Sequence, residues 1–172
     1  EREAWQLTLI VQLKELIHKP GNMKEVVLEH TLSESIGTEV MGIPAGSNLS
    51  IPTRLESVHE GILASAEFTA KATGICSRCL DEISDDIDVE IQELFMYRPE
   101  QEDDFVVEQD RIDLEQALID SVVPALPLKP LCSEDCAGLC SRCGIRMDED
   151  PSHSHEDPID PRFSALEGFG DG

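Results

Sequence analysis

Six cysteines constrain this chain more than any other feature: Cys76-x2-Cys79 and, far downstream, Cys132-x3-Cys136-x3-Cys140-x2-Cys143. Two thiolates two residues apart on a tight turn can both reach one ion at about 2.3 Å, and a second pair completes a tetrahedron. Gly74, Gly138 and Gly144 flank the pairs and permit turns that aim backbone N–H groups at sulfur. A disulfide scaffold would require an oxidising compartment, and no segment reads as a secretion signal. A redox CxxC usually opens a helix after a strand, where the thiol pKa falls. Here Cys76 and Cys79 fall between two alternating apolar patterns, which favours zinc.

Six ligands do not divide into four-coordinate sites. His153 and His155, just beyond Cys143, bring the candidates to eight and allow two zinc ions. One partition groups Cys76, Cys79, Cys132 and Cys136, then Cys140, Cys143, His153 and His155. A rival places Cys132, Cys136, Cys140 and Cys143 on one local zinc and leaves Cys76 and Cys79 free. The first is favoured, because it gives a CxxC at a hairpin bend a role and ties that hairpin to the C-terminal segment. His18, His30 and His59 are isolated and read as ordinary residues. A zinc with four protein ligands has no open position for water, so such sites are structural rather than catalytic.

Around the cysteines the pattern is β-rich. Ile62, Ala64, Ala66, Phe68, Ala70 and Ala72 alternate with polar residues, the period of a half-buried strand. Residues 51–59 read as the strand before it, with a turn at Glu60-Gly61. In the strand after the first CxxC, Ile87, Val89 and Ile91 face in while Asp86, Asp88, Glu90 and Gln92 face out. Further strands are expected at 5–11 and 24–30, with a helical turn from Leu13 to His18 stopped by Pro20-Gly21. The glycine- and proline-bearing stretch 33–50 is expected to be irregular, with at most one short strand. One main helix should start at an Asp113 N-cap paired with Gln116, bury Leu114, Ala117, Leu118 and Val122, and be stopped by Pro124, Pro127 and Pro130. A short helical turn is expected near Arg162 to Leu166. The fold class is therefore α+β and β-rich: an antiparallel, barrel-like meander with one helix and a C-terminal zinc-binding segment. The expected division is 1–125 for the β-rich domain and 126–172 for the segment packed on it.

Charge narrows the function. The 172 residues carry a formal net charge of −23. Nucleic-acid affinity comes mainly from neutralising phosphates, so a basic partner is expected instead. From Asp81 to Glu115 fifteen acidic residues face only Arg98 and Arg111, a local balance of −13. The few cations near the cysteines, Arg78, Lys129, Arg142 and Arg146, are the candidate partner-binding residues should RNA be touched directly. No apolar run approaches the ~20 residues of a membrane span. No phosphate-cradling loop or Ser/His/Asp arrangement occurs, so no catalytic residue is assigned and no small-molecule substrate is expected.

The ordered motifs His18-Lys19-Pro20-Gly21-Asn22-Met23, Arg54-Leu55-Glu56-Ser57-Val58, Gly74-Ile75-Cys76-Ser77-Arg78-Cys79-Leu80 and Glu93-Leu94-Phe95 carry a family resemblance. So do Leu126 to Cys132, Cys136-Ala137-Gly138-Leu139-Cys140, Cys143-Gly144 and Asp160-Pro161-Arg162-Phe163. Together they resemble the YceD family of large ribosomal RNA subunit accumulation proteins, in an actinobacterial version. The resemblance implies a cytoplasmic factor needed for normal levels of large-subunit ribosomal RNA. It also implies a ribosomal protein or rRNA-processing factor as partner, since the family's genes commonly adjoin one for a small basic ribosomal protein. The resemblance includes members that keep only the first CxxC with a later His/Cys pair, which matches Cys76, Cys79, Cys132 and Cys136 here. Many relatives carry Cys-x-Cys where this chain has His153-Ser154-His155.

Overall fold

The structure, a computed structural model, describes residues 9–156 together with Asp160 and Arg162. The expected strand at 5–11 lies outside it up to residue 8, and the expected turn near Arg162 to Leu166 lies outside it beyond Arg162.

Two long strands organise everything else. β6 (Gly61–Ile75) and β7 (Glu82–Met96) pair antiparallel without a break from Gly61↔Met96 to Ile75↔Glu82. The alternating pattern places Ile62, Ala64, Ala66, Phe68, Ala70 and Ala72 inward, each buried, opposite the inward Ile87, Val89 and Ile91. The other edge of β6 is shared. β5 (Asn48–Ser57) takes its first half through Thr53↔Ala66 to Ser57↔Ile62. β4 (Met41–Ile43) takes its far end through Met41↔Gly74. β2 (Met23–Thr31) lies outside β5, and β3 (Ile36–Gly37) lies outside β4. The result is a curled, half-barrel antiparallel sheet. A separate ribbon joins β1 (Ile10–Gln12) to β8 (Arg111–Asp113), and helix α1 (Glu115–Ala125) follows.

The helix closes the core. Ala117, Leu118 and Val122 are buried among the inward residues of the sheet, and α1 touches both β7 and β3. The six inward positions of β6 include four alanines, whose small side chains leave room for the helix inside the curl. The turn after β1 is helical, with Ile17 N–H donating to Leu13 O, and Ser57 Oγ donates to Leu16 O to tie it to the sheet. Among the described residues no helix is long and apolar enough to cross a membrane.

Three local expectations are corrected. The stretch 33–50 holds two short strands and the start of a third rather than at most one. Their cause is non-local: β6 pairs with β4 through Met41↔Gly74, and β4 in turn pairs with β3, where a Cβ on Gly42 would stand 2.7 Å from Ile36 O. The N-cap of α1 is Leu114, not Asp113. Asp113 still serves the helix start, its Oδ1 accepting from Glu115 N–H, while Gln116 Nε2 turns forward to Asp120 Oδ1 instead of back. Pro124 lies inside the last turn, and the chain becomes extended only at Leu126, just before Pro127.

Candidate metal centre

The bend between β6 and β7 is a cysteine knuckle. Cys76 N–H donates to Asp81 O, Leu80 N–H donates to Cys76 O, and Leu80 takes a positive φ of 64° to close the turn. Both sulfur-bearing residues, Cys76 and Cys79, are buried. The extended run after α1 delivers the other half of the site: Ser77 N–H donates to Pro130 O, and Cys132 and Cys136 follow. Cys76, Cys79, Cys132 and Cys136 bring their sulfurs within 4.8 Å of one another. Cys76 Sγ to Cys136 Sγ is 3.8 Å and Cys79 Sγ to Cys132 Sγ is 3.6 Å. A tetrahedral zinc with ligands at ~2.3 Å separates its sulfurs by about 3.8 Å, whereas a disulfide bond is ~2.05 Å long. None of the six cysteines is in a disulfide.

A second cluster follows within a few residues. Cys140, Cys143, His153 and His155 also hold their ligand atoms within 4.8 Å. Cys143 Sγ to His153 Nε2 is 3.2 Å and His153 Nε2 to His155 Nε2 is 3.0 Å. A tetrahedral zinc asks for about 3.5 and about 3.3 Å, so a small outward movement of the imidazoles would seat the ion. Here the turn is closed by Gly144 N–H to Cys140 O and Cys140 N–H to Ile145 O. The structure thus brings together the four-sulfur set and the two-sulfur, two-imidazole set, and keeps Cys76 and Cys79 with Cys132 and Cys136.

The electrostatics of both clusters suit a cation. Backbone N–H groups of Cys79, then of Cys132 and Arg78, hold the Cys76 thiol down to about 6 against desolvation. The N–H groups of Cys143 and Arg142 do the same for Cys140, also to about 6. The other three sulfurs of the first cluster move up. Cys136 is raised by burial, and Cys132 first by its contact with Cys136. Cys79 receives the Asp81 N–H, yet burial and the neighbouring sulfurs of Cys76 and Cys132 raise it. Four crowded sulfurs do not all ionise unaided. A bound divalent cation would displace their protons and stabilise all four as thiolates.

The glycines and arginines divide the remaining work. Gly138 has φ 80°, and a Cβ there would meet Arg78 O at 3.1 Å, so glycine lets the link between the clusters pack on the first knuckle without strain. Gly74 does not shape the turn as expected. It lies in β6, where a Cβ would stand 2.2 Å from Val40 O, and it admits β4. Arg78 reaches back with Nη1 to the carbonyls of Glu134 and Cys136, at 3.2 and 2.9 Å. Arg146 bridges Asp81 and Asp148, its Nη1 lying 2.7 Å from Asp81 Oδ2, and holds both carboxyls below their usual range. Arg142 Nη1 donates to Glu156 O, and Lys129 is exposed beside Leu128. Sequence reasoning missed Asp81, Asp148 and the structural use of Arg78. Asp81 meets Arg146 across 65 residues and Arg78 meets Cys136 across 58, so no local signal announces either pair.

A curled antiparallel sheet whose central hairpin ends in a four-cysteine cluster, with a Cys/His cluster in the C-terminal segment, defines a small β-rich protein built around two candidate metal centres. Residues 64–170 match the family described as Large ribosomal RNA subunit accumulation protein YceD, and the chain belongs to that family. Membership implies a role in the accumulation of large-subunit ribosomal RNA. The chain is 37% identical over 166 residues to uncharacterized proteins of Mycobacterium tuberculosis and Mycobacterium bovis, covering 92% of this chain and 79% of each. It is 34% identical over 167 residues to an uncharacterized protein of Mycobacterium leprae, covering 92% of this chain and 76% of the relative. No solved structure matches the chain.

Proposed function

We propose that this chain is a non-enzymatic zinc protein of ribosome biogenesis, which supports accumulation of large-subunit ribosomal RNA by holding a basic ribosomal protein or a processing factor in the cytoplasm. Each cluster would bind one zinc, the first through Cys76, Cys79, Cys132 and Cys136 and the second through Cys140, Cys143, His153 and His155. Four protein ligands fill each tetrahedron, so neither ion keeps a position for water or substrate. The segment 126–172 then serves as a metal-knotted appendage of the β-rich domain.

One observation carries the choice of partner. Asp86, Asp88 and Glu90 stand exposed in a row along β7, and Lys71 is the cation paired with that row, at 3.0 Å from Asp86. Electrostatic complementarity of this kind speeds encounter with basic surfaces and rejects acidic ones. The rival reading is direct contact with ribosomal RNA through Arg78, Lys129, Arg142 and Arg146. It has less support, since Arg146 is neutralised by two aspartates and Arg78 is spent on carbonyls. Capture of ribosomal proteins from a lysate, compared between the native chain and a variant with Asp86→Asn, Asp88→Asn and Glu90→Gln, tests the choice. The variant should lose the basic proteins. Unchanged recovery, or an RNA gel shift abolished by Arg78→Ala with Arg142→Ala, would favour the RNA reading.

A further inference from the structure

The outer edge of β7 is a long open strand edge whose backbone and side chains point to one kind of occupant. At its far end that edge already accepts chain: Met96 N–H donates to Phe105 O and Met96 O accepts from Val107 N–H, a parallel bridge. Met96 therefore turns its backbone groups away from β6. The β6–β7 register is unbroken, and backbone direction alternates along a strand. Ser84, Asp86, Asp88, Glu90 and Gln92 must then also turn their N–H and C=O groups to the outer edge. The hydrogen bond of Asp86 N–H to the Asp85 carboxylate, instead of to β6, agrees. Among the described residues no strand pairs with this edge before Met96.

The same five residues expose their side chains on the solvent face, so an added strand would meet their backbones and side chains together. Acidic residues on an open edge can simply discourage aggregation. That explanation does not cover Glu90, which lies directly opposite Glu67 on β6, an exposed pair of like charges. Such a cross-strand pair is destabilising, and neither carboxylate belongs to an ion pair among the described residues. Its neighbours on the row are compensated, Asp88 by Thr69 Oγ1 at 2.7 Å and Asp86 by Lys71. The uncompensated position lies within the open edge, where an incoming cation would relieve it.

We propose that the β7 edge from Ser84 to Gln92 takes up an extended segment of the partner as an additional strand, with Lys or Arg at alternate positions facing Asp86, Asp88 and Glu90. This rests on the reading of the partner as a basic protein and specifies how that protein is held: backbone ladder for affinity, alternate cations for choice. The test uses the full chain and a fluorescent nine-residue peptide of alternating lysine and valine. Its companion is N-methylated on the residues that would face the edge, which keeps every charge but removes the ladder donors. The unmethylated peptide should bind, and the methylated one should bind about ten-fold or more weakly, the scale of lost hydrogen bonds. A Gln92→Pro variant, which removes an outward N–H but no charge and leaves the inward bonds of Ile91 and Glu93, should weaken the unmethylated peptide at unchanged melting temperature. Should that variant fail to fold, the peptide pair on the native chain decides alone. Equal binding of the two peptides, or no binding of either at low salt, overturns strand addition. The partner reading then stands or falls separately on whether neutralising the acidic row still abolishes capture of basic proteins.

Discussion

The two clusters have the same number of candidate ligands but opposite relations to the fold. In the first, Cys76 and Cys79 are buried at the tip of the central hairpin, and their partners come from beyond the helix, 53 and 60 residues away. In the second, Cys143 and His155 are exposed, and Cys143 meets a histidine ten residues on. Closing a long loop removes more freedom from the unfolded chain than closing a short one, and burial excludes water and competing ligands. The first cluster is thus part of the architecture of the whole domain, and the second organises only its own loop.

The largest expected effect is accordingly at the first cluster. Cys79→Ser should lower the melting temperature by on the order of 10 °C and broaden the transition, as read by circular dichroism. A drop no larger than that of the second-cluster variant below would erase the distinction. Chelation comes next. Titrating zinc-loaded protein with a chelator should release the metal in two steps, with resonances of His153 and His155 changing before those of the β6–β7 hairpin. A single concerted release would mean the clusters are one unit. Gly138→Ala probes the link between them. An alanine at φ 80° costs about 1–2 kcal/mol, and its methyl would press on Arg78, so both clusters should loosen together in hydrogen exchange. The smallest effect belongs to Cys143→Ser, which should remove one equivalent of zinc by mass spectrometry while shifting the melting temperature by about 2 °C or less.

What was legible in the sequence was whatever is written locally. The alternation from Ile62 to Ala72 marks a strand by itself, because its period and its burial coincide. Cysteine spacing and ligand count limited the groupings to two, and the structure shows which sulfurs lie together. What was not legible depends on partners distant in the chain. β8 has three residues and exists because β1 lies beside it through Val11↔Ile112. β4 is a glycine-bearing fragment made into a strand by β6, and β3 is made into one by β4. Asp113 has a capping residue's chemistry, yet the helix begins one residue later because Leu114 N–H is drawn into the ribbon by Leu9 O. Arg146 carries a cation that the sequence offers to a partner and the fold gives to Asp81 and Asp148.

The unbroken pairing of β6 with β7 has a consequence for how the chain finds its fold. A hairpin this long, rich in alanine inside and in acid outside, would trade its two faces if it zipped one residue out of phase. Only one phase sets Cys76 and Cys79 on the tip with their sulfurs turned toward the returning chain. The metal knot would therefore act as a proofreader of alignment, locking the correct zipper and leaving slipped ones free to open and try again.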